Sequence, residues 1–460
     1  MGGEVLLSLE GTAQGDPLAM AMYALASVPL IERVSTSDAS QVWFADDATS
    51  GGRLAAMRQW WDKLLLHGPA YGYDVNALKS WLVVKPDRIS AAHEIFADTG
   101  VNVTATGTRH LGAVLGTPTF VEQYVREKVC TWSLEVTRLA GIARTEPHAA
   151  YCAFTHGLAG QRTYLCRTVP AIAPLLQPLE DTIQSDFLPA LLGRCAPGPL
   201  ERRLFALPAQ LGGLGLINPT QLIDQHDASV EITAPLVALI VQQQSHLGDV
   251  TVSQQAAKRA VLAKRRANLL RTAASLHQQL SPSLQRAVQL ATERGASTWL
   301  SALPLTAHGF DLSKSSFRDA VCIRYGWTPP MLPALCHCGA SFTVAHALSC
   351  PTGGFPTVRH NELRDLCATL LTEVCPDVAV EPSLQPLTGE HLPTATATHA
   401  DGARLDIVVS GFWDGRFERT FFDVRVFNPN VFSNSTSQLV CLLHPSSRLS
   451  SFAFFFLRLP

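Results

Sequence analysis

The sequence carries almost no net charge and no uninterrupted apolar run of membrane length. Its 36 Lys and Arg stand against 38 Asp and Glu, a formal charge of −2. No global attraction to a nucleic acid follows from that balance, so any such binding has to rest on local patches. The opening Met1-Gly2-Gly3-Glu4 lacks the basic stretch and apolar core of a secretory leader, which points to a nuclear or cytoplasmic protein in a reducing setting. The C-terminal LVCLLHPSSRLSSFAFFFLRLP is apolar but broken by His444, Pro445, Arg448 and serines, so no membrane association is expected. The Gly-rich LPAQLGGLGLINP, Leu207 to Pro219, is followed by no Gly-Lys-Ser/Thr, which excludes a phosphate-binding P-loop. What remains is an ordinary globular composition, 47% hydrophobic and 16% charged over 460 residues, with room for about two to four domains. The eleven Cys are an odd number, and in a reducing compartment clustered Cys point to metal before disulfides.

The most informative stretch is QVWFADDATSGG. The apolar Val42-Trp43-Phe44 reads as a buried strand and the small residues Ala48, Thr49, Ser50, Gly51 and Gly52 as a tight turn, with Asp46 and Asp47 at the tip of the hairpin. Asp favours turns for its own reasons, yet a hairpin tip with two carboxylates can also hold Mg²⁺ against a phosphate. Upstream, Gln14-Gly15-Asp16-Pro17-Leu18 suits a turn that enters the helix AMAMYALASVPLI. Taken together, in this order and spacing, QGDPL and FADD resemble two blocks of the reverse transcriptases. That resemblance implies that Gln14, Gly15, Asp16 and Pro17 lie against the incoming dNTP and template, and that Asp46 and Asp47 are catalytic metal ligands of the palm. Downstream, Gly72, Asn76 and Lys79 precede the strand Trp81-Leu82-Val83-Val84. The resemblance places Lys79 near the triphosphate; a solvated strand-edge lysine is the other reading, and both stand open. His110-Leu111-Gly112 is similar to the turn that grips the primer. In this family a further aspartate comes from a strand upstream of the QGDPL block, whereas Glu4 is the sole acid in the seven residues before Ser8. The expectation is a palm truncated at its front, with impaired polymerase activity, since two-metal chemistry needs carboxylates bridging both ions.

From about Thr119 to Leu300 the pattern is mostly helical, with helices expected near Val121 to Leu139, Leu175 to Leu192, Pro219 to Gln244, Ser253 to Ser275 and Ser281 to Glu293. The stretch QQAAKRAVLAKRRANLLRT carries Lys258, Arg259, Lys264, Arg265, Arg266 and Arg271 without an acid. Such a basic face suits non-specific phosphate contact, and a solvated basic helix suits it equally. Further on, Cys336, Cys338, His346 and Cys350 form the ligand set of a tetrahedral structural Zn²⁺ site, with Gly339 allowing the sharp turn of a knuckle.

Beyond the knuckle come Arg359 and His360, a linker from Thr388 to Asp401, and two β-like runs, Arg404 to Val409 and Thr420 to Val426. Each run places one acid, Asp406 and Asp423, with Arg425 two positions after the second. That is the layout of a PD-(D/E)xK nuclease, in which acids hold Mg²⁺ and a base steadies developing charge. Arg in place of Lys limits Arg425 to an electrostatic role. Knuckle, Arg-His pair and spaced acids together resemble the C-terminal part of non-LTR retrotransposon polyproteins with a restriction-enzyme-like endonuclease. Leu405, where the family has Pro, departs from it, as does the Phe-rich tail after Asn430. The expected fold is an α+β multidomain chain: a partial reverse-transcriptase palm (1–115), a largely α-helical thumb and connector (116–300), a linker with a CCHC zinc knuckle (301–356), and an α/β PD-(D/E)xK-like domain with an aberrant tail (357–460). The resemblance implies an RNA-directed DNA polymerase fragment with target-DNA nicking, acting on an RNA template and a DNA target. A non-catalytic nucleic-acid-binding protein using the knuckle and the basic helix is the alternative.

Overall fold

Short strands paired two by two within residues 39–116 precede a long run of helices, and four more strands follow from residue 377, so the chain is a mixed α+β protein. The computed structural model describes residues 16–242, 247–352, 354–382, 404–412, 419–427 and 452–458. Gln14, Gly15 and the Thr388 to Asp401 linker lie outside these. The chain divides into two units, one of Met1–Thr145, Ala149–Leu207 and Gly215–Leu276, the other of Glu146–His148, Pro208–Leu214 and His277–Pro460. Among the described residues no helix is long and apolar enough to cross a membrane.

In the first unit, Asp16 starts the helix Ala19–Val34: its carboxylate accepts the Leu18 N–H at 2.8 Å and its carbonyl the Ala19 N–H at 3.1 Å. This meets the orphan donors of a helix start. Leu30 and Val34 of that helix bury against Trp60 and Leu64 of the helix Leu54–His67. Six short strands follow the first helix: β1 (Ala39–Phe44) and β2 (Asp47–Gly52) form an antiparallel hairpin, β3 (Trp81–Val83) pairs parallel with β4 (Asn102–Thr104), and β5 (Gly107–His110) and β6 (Ala113–Gly116) form a second hairpin. β1 is not a fully buried strand. It alternates, with Gln41 and Trp43 turned inward while Val42 and Phe44 are exposed, because only one face of a two-stranded ribbon is covered.

The helical region begins at Thr117, whose hydroxyl caps Pro118–Ala143 by accepting the Phe120 N–H. Tyr124, Val125, Val129, Trp132, Val136, Leu139, Ala140 and Ala143 make its buried stripe at helical spacing. The segment expected as one helix near Leu175 to Leu192 is continuous but changes pitch, with Gln177–Thr182, a π turn at Ile183–Phe187, and Leu188–Leu192 ended by left-handed Gly193. A second π turn, Ala153–Leu158, lies in a helical stretch with no clean periodicity, and its Phe154 stacks on Phe187 at 4.7 Å. Beside this stack, Arg202 donates to both oxygens of Glu180 (2.6 and 2.8 Å) and to the Leu216 carbonyl (2.7 Å). Arg162, also buried, lies over the Phe154 ring, and burial lowers its pKa to about 10.

In the second unit the Gly-rich Pro208–Leu214 loop is a scaffold and not an anion cradle. Arg324 donates to the carbonyls of Ala209 (2.9 Å) and Gly213 (3.0 Å), and the Tyr325 hydroxyl donates to Gly212 at 3.1 Å. Burial pushes the Tyr325 hydroxyl up to about 12. Gly212 needs to be glycine, since its φ is +87° and a Cβ would meet Val288 at 2.6 Å. His148 is buried with both ring nitrogens used: Nδ1 accepts the Leu312 N–H, which leaves Nε2 to donate to the Ala302 carbonyl. Further along, the helix Phe355–Thr372 packs on a four-stranded sheet of order β10-β9-β8-β7. Its strands are β7 (Asp377–Val380), β8 (Ile407–Ser410), β9 (Arg419–Phe427) and β10 (Phe452–Arg458). The first three are antiparallel neighbours, and β10 lies parallel to β9. The tail thus adds a strand to this sheet. Ile407, Val409, Phe422 and Val424 form the core under Ala368 and Leu371 of the helix.

Glu180 supports a test of this packing. Glu180→Ala leaves two buried guanidiniums, Arg202 and Arg162, without the carboxylate, and unfolding in urea should show a loss of about 3–5 kcal/mol. Glu180→Leu combined with Arg202→Met should recover most of it.

Candidate metal centre and acidic sites

The Cys/His cluster is built by a tight knuckle. Cys336 N–H donates to the Ala340 carbonyl at 2.8 Å and Gly339 N–H to the Cys336 carbonyl at 2.9 Å, with Gly339 at φ +82°. Thr343 then caps the short helix Val344–Ala347 through the His346 N–H, and Cys350 N–H closes onto the His346 carbonyl at 2.8 Å. The four ligand atoms all lie within 4.8 Å of one another. Cys336 and Cys350 sulfurs are 3.8 Å apart, and Cys338 Sγ is 3.3 Å from His346 Nε2. A tetrahedral zinc with Zn–S of about 2.3 Å and Zn–N of about 2.0–2.1 Å separates its ligands by about 3.8 Å (S to S) and about 3.5 Å (S to N). The donor set and spacing therefore fit a tetrahedral metal ion. Around Cys338 the Ala340 backbone N–H favours the thiolate, but desolvation and the neighbouring Cys336 and Cys350 thiols outweigh it and raise the pKa. A bound cation reverses that balance and deprotonates coordinating thiols.

In the sheet of the second unit Asp406 and Asp423 fall across from each other in register. Register pairs Ile407 with Phe422, so the next residues out, Asp406 and Asp423, stand opposite each other. Asp406 Oδ2 accepts the Val424 N–H at 2.5 Å and Oδ1 lies 3.2 Å from His360 Nε2. Asp423 is held by Arg425 at 2.8 Å, on the face opposite buried Phe422 and Val424. Arg359 does not join them. It donates to the Leu348 carbonyl at 3.4 Å, inside the knuckle, with Nε and Nη1 buried and unpartnered, and burial lowers its pKa. Two residues that the motif comparison passes over are also in place. Arg364, one turn after His360, binds Asp365 and Glu381; burial alone would lower its pKa, but the Asp365, Glu381 and Asp406 carboxylates raise it. Glu381 had no periodicity or motif to mark it, only its place before Pro382.

In the first unit, Asp46 and Asp47 are exposed at the tip of the β1–β2 hairpin, whose loop is only Ala45-Asp46. Ala45 has φ +52° while Asp46 does not lie in the positive region, the sign pattern of a type II′ turn, where Gly is favoured. The tip is pinned beneath: the Tyr73 hydroxyl donates to the Asp46 carbonyl at 2.7 Å, and the Tyr73 ring lies 5.2 Å from Trp43. Burial raises the Tyr73 pKa, reinforced by Tyr23, Asp46 and Asp47. Gln41 accepts from both Trp43 and Trp60 indoles. Thr49 Oγ1 lies 3.1 Å from His110 Nε2, tying the acidic hairpin to the β5–β6 hairpin, whose turn residues Leu111 and Gly112 are both left-handed. Asp16 is engaged in the turn before the helix, accepting the Leu18 N–H, and Pro17 is exposed beside it. Lys79 is exposed at the end of a short turn capped by Asn76.

The basic helix runs Leu247–Gln279. At about 100° per residue, Lys258, Arg259, Arg265 and Arg266 fall on one side, while Lys264 and Arg271 lie elsewhere around it. Arg265 is half-buried and faces Asp224 at 3.7 Å, so the cations do not form a single face. Among the described residues, the Cys/His cluster alone gathers three or more Cys, His or acidic ligand groups. No protein-family model matches this chain, and no curated protein matches it.

The strained tip yields a prediction. Ala45→Gly removes a left-handed penalty of about 1–2 kcal/mol, less the added unfolded-state entropy of Gly, ~0.5–1 kcal/mol. Urea unfolding should show a gain of about 0.5–1 kcal/mol.

Proposed function

We propose that this chain is a retroelement-derived protein of the non-LTR class, retaining part of an RNA-directed DNA polymerase and a domain that nicks target DNA. The observation that carries the reading is the arrangement in the second unit. A Cys₃His cluster is followed at once by a helix whose His360 reaches Asp406, and Asp406 stands directly across from Asp423 on the neighbouring strand. On this reading Cys336, Cys338, His346 and Cys350 hold a structural Zn²⁺ with every position filled by protein, so the metal supplies folding energy and no open coordination site. Asp406 and Asp423 hold Mg²⁺ beside the scissile phosphate when DNA is bound. His360 orients Asp406, and Arg425 steadies charge on the phosphate.

The acidic hairpin supports the polymerase ancestry. Its two-residue loop sets Asp46 and Asp47 side by side and exposed, where Mg²⁺, dNTP and an RNA template can approach them. Among the described residues no third carboxylate converges on them, and two-metal phosphoryl transfer requires carboxylates bridging both ions. A second reading, non-catalytic binding of nucleic acid, draws on the Cys₃His knuckle and on Lys258, Arg259 and Arg266 along one side of the basic helix.

The test uses the full chain and supercoiled plasmid with Mg²⁺. Nicking is expected, and Asp406→Ala should reduce it at least about 100-fold; equal nicking by that variant refutes the assignment of the site. Primer extension on an RNA template is expected to give no product. Salt-sensitive DNA retention without nicking would favour the binding reading.

A further inference from the structure

We infer that Glu381 is a positioning residue for Asp406, aligning the acidic site through a strained backbone that its own side chain enforces. The inference rests on the nicking reading above. Three acids share one row of the register: Glu381 just after β7, Asp406 just before β8 and Asp423 within β9. Val380 pairs with Ile407, which sets Glu381 opposite Asp406, and Ile407 pairs with Phe422, which sets Asp406 opposite Asp423. The link between the first two is a backbone bond, Glu381 N–H to the Asp406 carbonyl at 2.9 Å.

The backbone that makes this bond is unusual. Glu381 has φ +50°, a region that side-chain-bearing residues avoid, and it precedes Pro382, which ordinarily drives its neighbour to extended geometry. Something has to hold it there, because such strain persists only where the surroundings over-determine it. Two guanidiniums hold it. Arg364, its side chain 10% exposed on the helix Phe355–Thr372, grips the Glu381 carboxylate, and Arg404 Nη1 approaches the other oxygen at 3.5 Å. One turn earlier on that helix, His360 holds Asp406. The helix therefore grips two neighbouring acids with side chains four residues apart, on one face.

Without the carboxylate, the Glu381 backbone is free to return to negative φ. Its N–H then leaves the Asp406 carbonyl, and Asp406 loses its anchor on the β7 side. Asp406 Oδ2 is bonded to the Val424 N–H, so the displacement carries through to β9 beside Asp423. A merely stabilising ion cluster would behave differently, because it would make no demand on backbone φ. Glycine separates the two cases: it adopts φ +50° without the Cβ penalty, so the backbone bond is retained far better than in alanine while the carboxylate is absent.

The experiment compares unmodified chain, Glu381→Ala and Glu381→Gly, all full length and matched for folded fraction by near-ultraviolet circular dichroism. Plasmid nicking and exchange of the Val424 amide are read on each. Glu381→Ala should slow nicking by about 10- to 100-fold and speed Val424 exchange about tenfold. Glu381→Gly should restore both to within about threefold of the unmodified chain. Unchanged nicking in Glu381→Ala, or an equal loss in Glu381→Gly, overturns the inference. If the unmodified chain does not nick, the nicking reading falls by itself and exchange decides. Faster exchange in Glu381→Ala that Glu381→Gly restores then upholds the positioning role, and unchanged exchange in Glu381→Ala overturns it.

Discussion

Three thiols and an imidazole with their ligand atoms inside 4.8 Å of one another impose the strongest constraint on the second unit. Desolvation and the neighbouring thiols raise the Cys338 pKa against the Ala340 N–H that lowers it, and a cation joining the cluster reverses that balance. The knuckle also reaches beyond itself. Its Leu348 carbonyl, between ligands His346 and Cys350, accepts from Arg359, and the next residue, His360, holds Asp406. Whatever fixes the 346–350 turn therefore fixes the start of the helix that faces the acids.

The same rule of compensated charge organises the rest. Asp406 faces the His360 imidazole from the helix, Asp423 the Arg425 guanidinium on β9, and Glu381 takes Arg364 and Arg404. Glu180 and Arg202 solve a similar problem in the first unit, deep in the core, where a single unmatched charge would cost several kcal/mol. The hairpin tip is the contrast. Asp46 and Asp47 are exposed to water, and the strain there lies in the backbone of Ala45. The polar and aromatic network of Gln41, Trp43, Trp60 and Tyr73 holds that hairpin from below.

Features set by local chemistry were legible in the sequence. The turn at Asp16-Pro17, the hairpin with two acids near its tip, the knuckle at Gly339 and the Cys/His ligand set depend on residues close in the chain, where spacing carries the information; the tight turn itself falls at Ala45-Asp46, and the small residues Ala48 to Gly52 expected to make it pair as a strand instead. The opposition of Asp406 and Asp423 was half legible: each run read as a strand with one acid, but register comes only from pairing. The exposure of Val42 and Phe44 was not, because an apolar triplet does not reveal whether one face or two are covered. Glu381 was invisible for a related reason. Its significance lies in a φ value and in Arg364 on a distant helix, neither of which a single-residue pattern encodes. The basic helix shows the opposite failure: six cations in one stretch look like a face until 3.6-residue geometry spreads them and Asp224 takes one.

A metal ion held by the Cys₃His cluster would order the unit that carries the acids. The most direct measurement is the metal content of the purified full chain by elemental mass spectrometry. One zinc per polypeptide is predicted, with none retained after Cys350→Ala and with near-ultraviolet dichroism weakened by the same change. A chain that is zinc-free, does not take up zinc when it is supplied, and still keeps an unaltered near-ultraviolet spectrum would contradict the account.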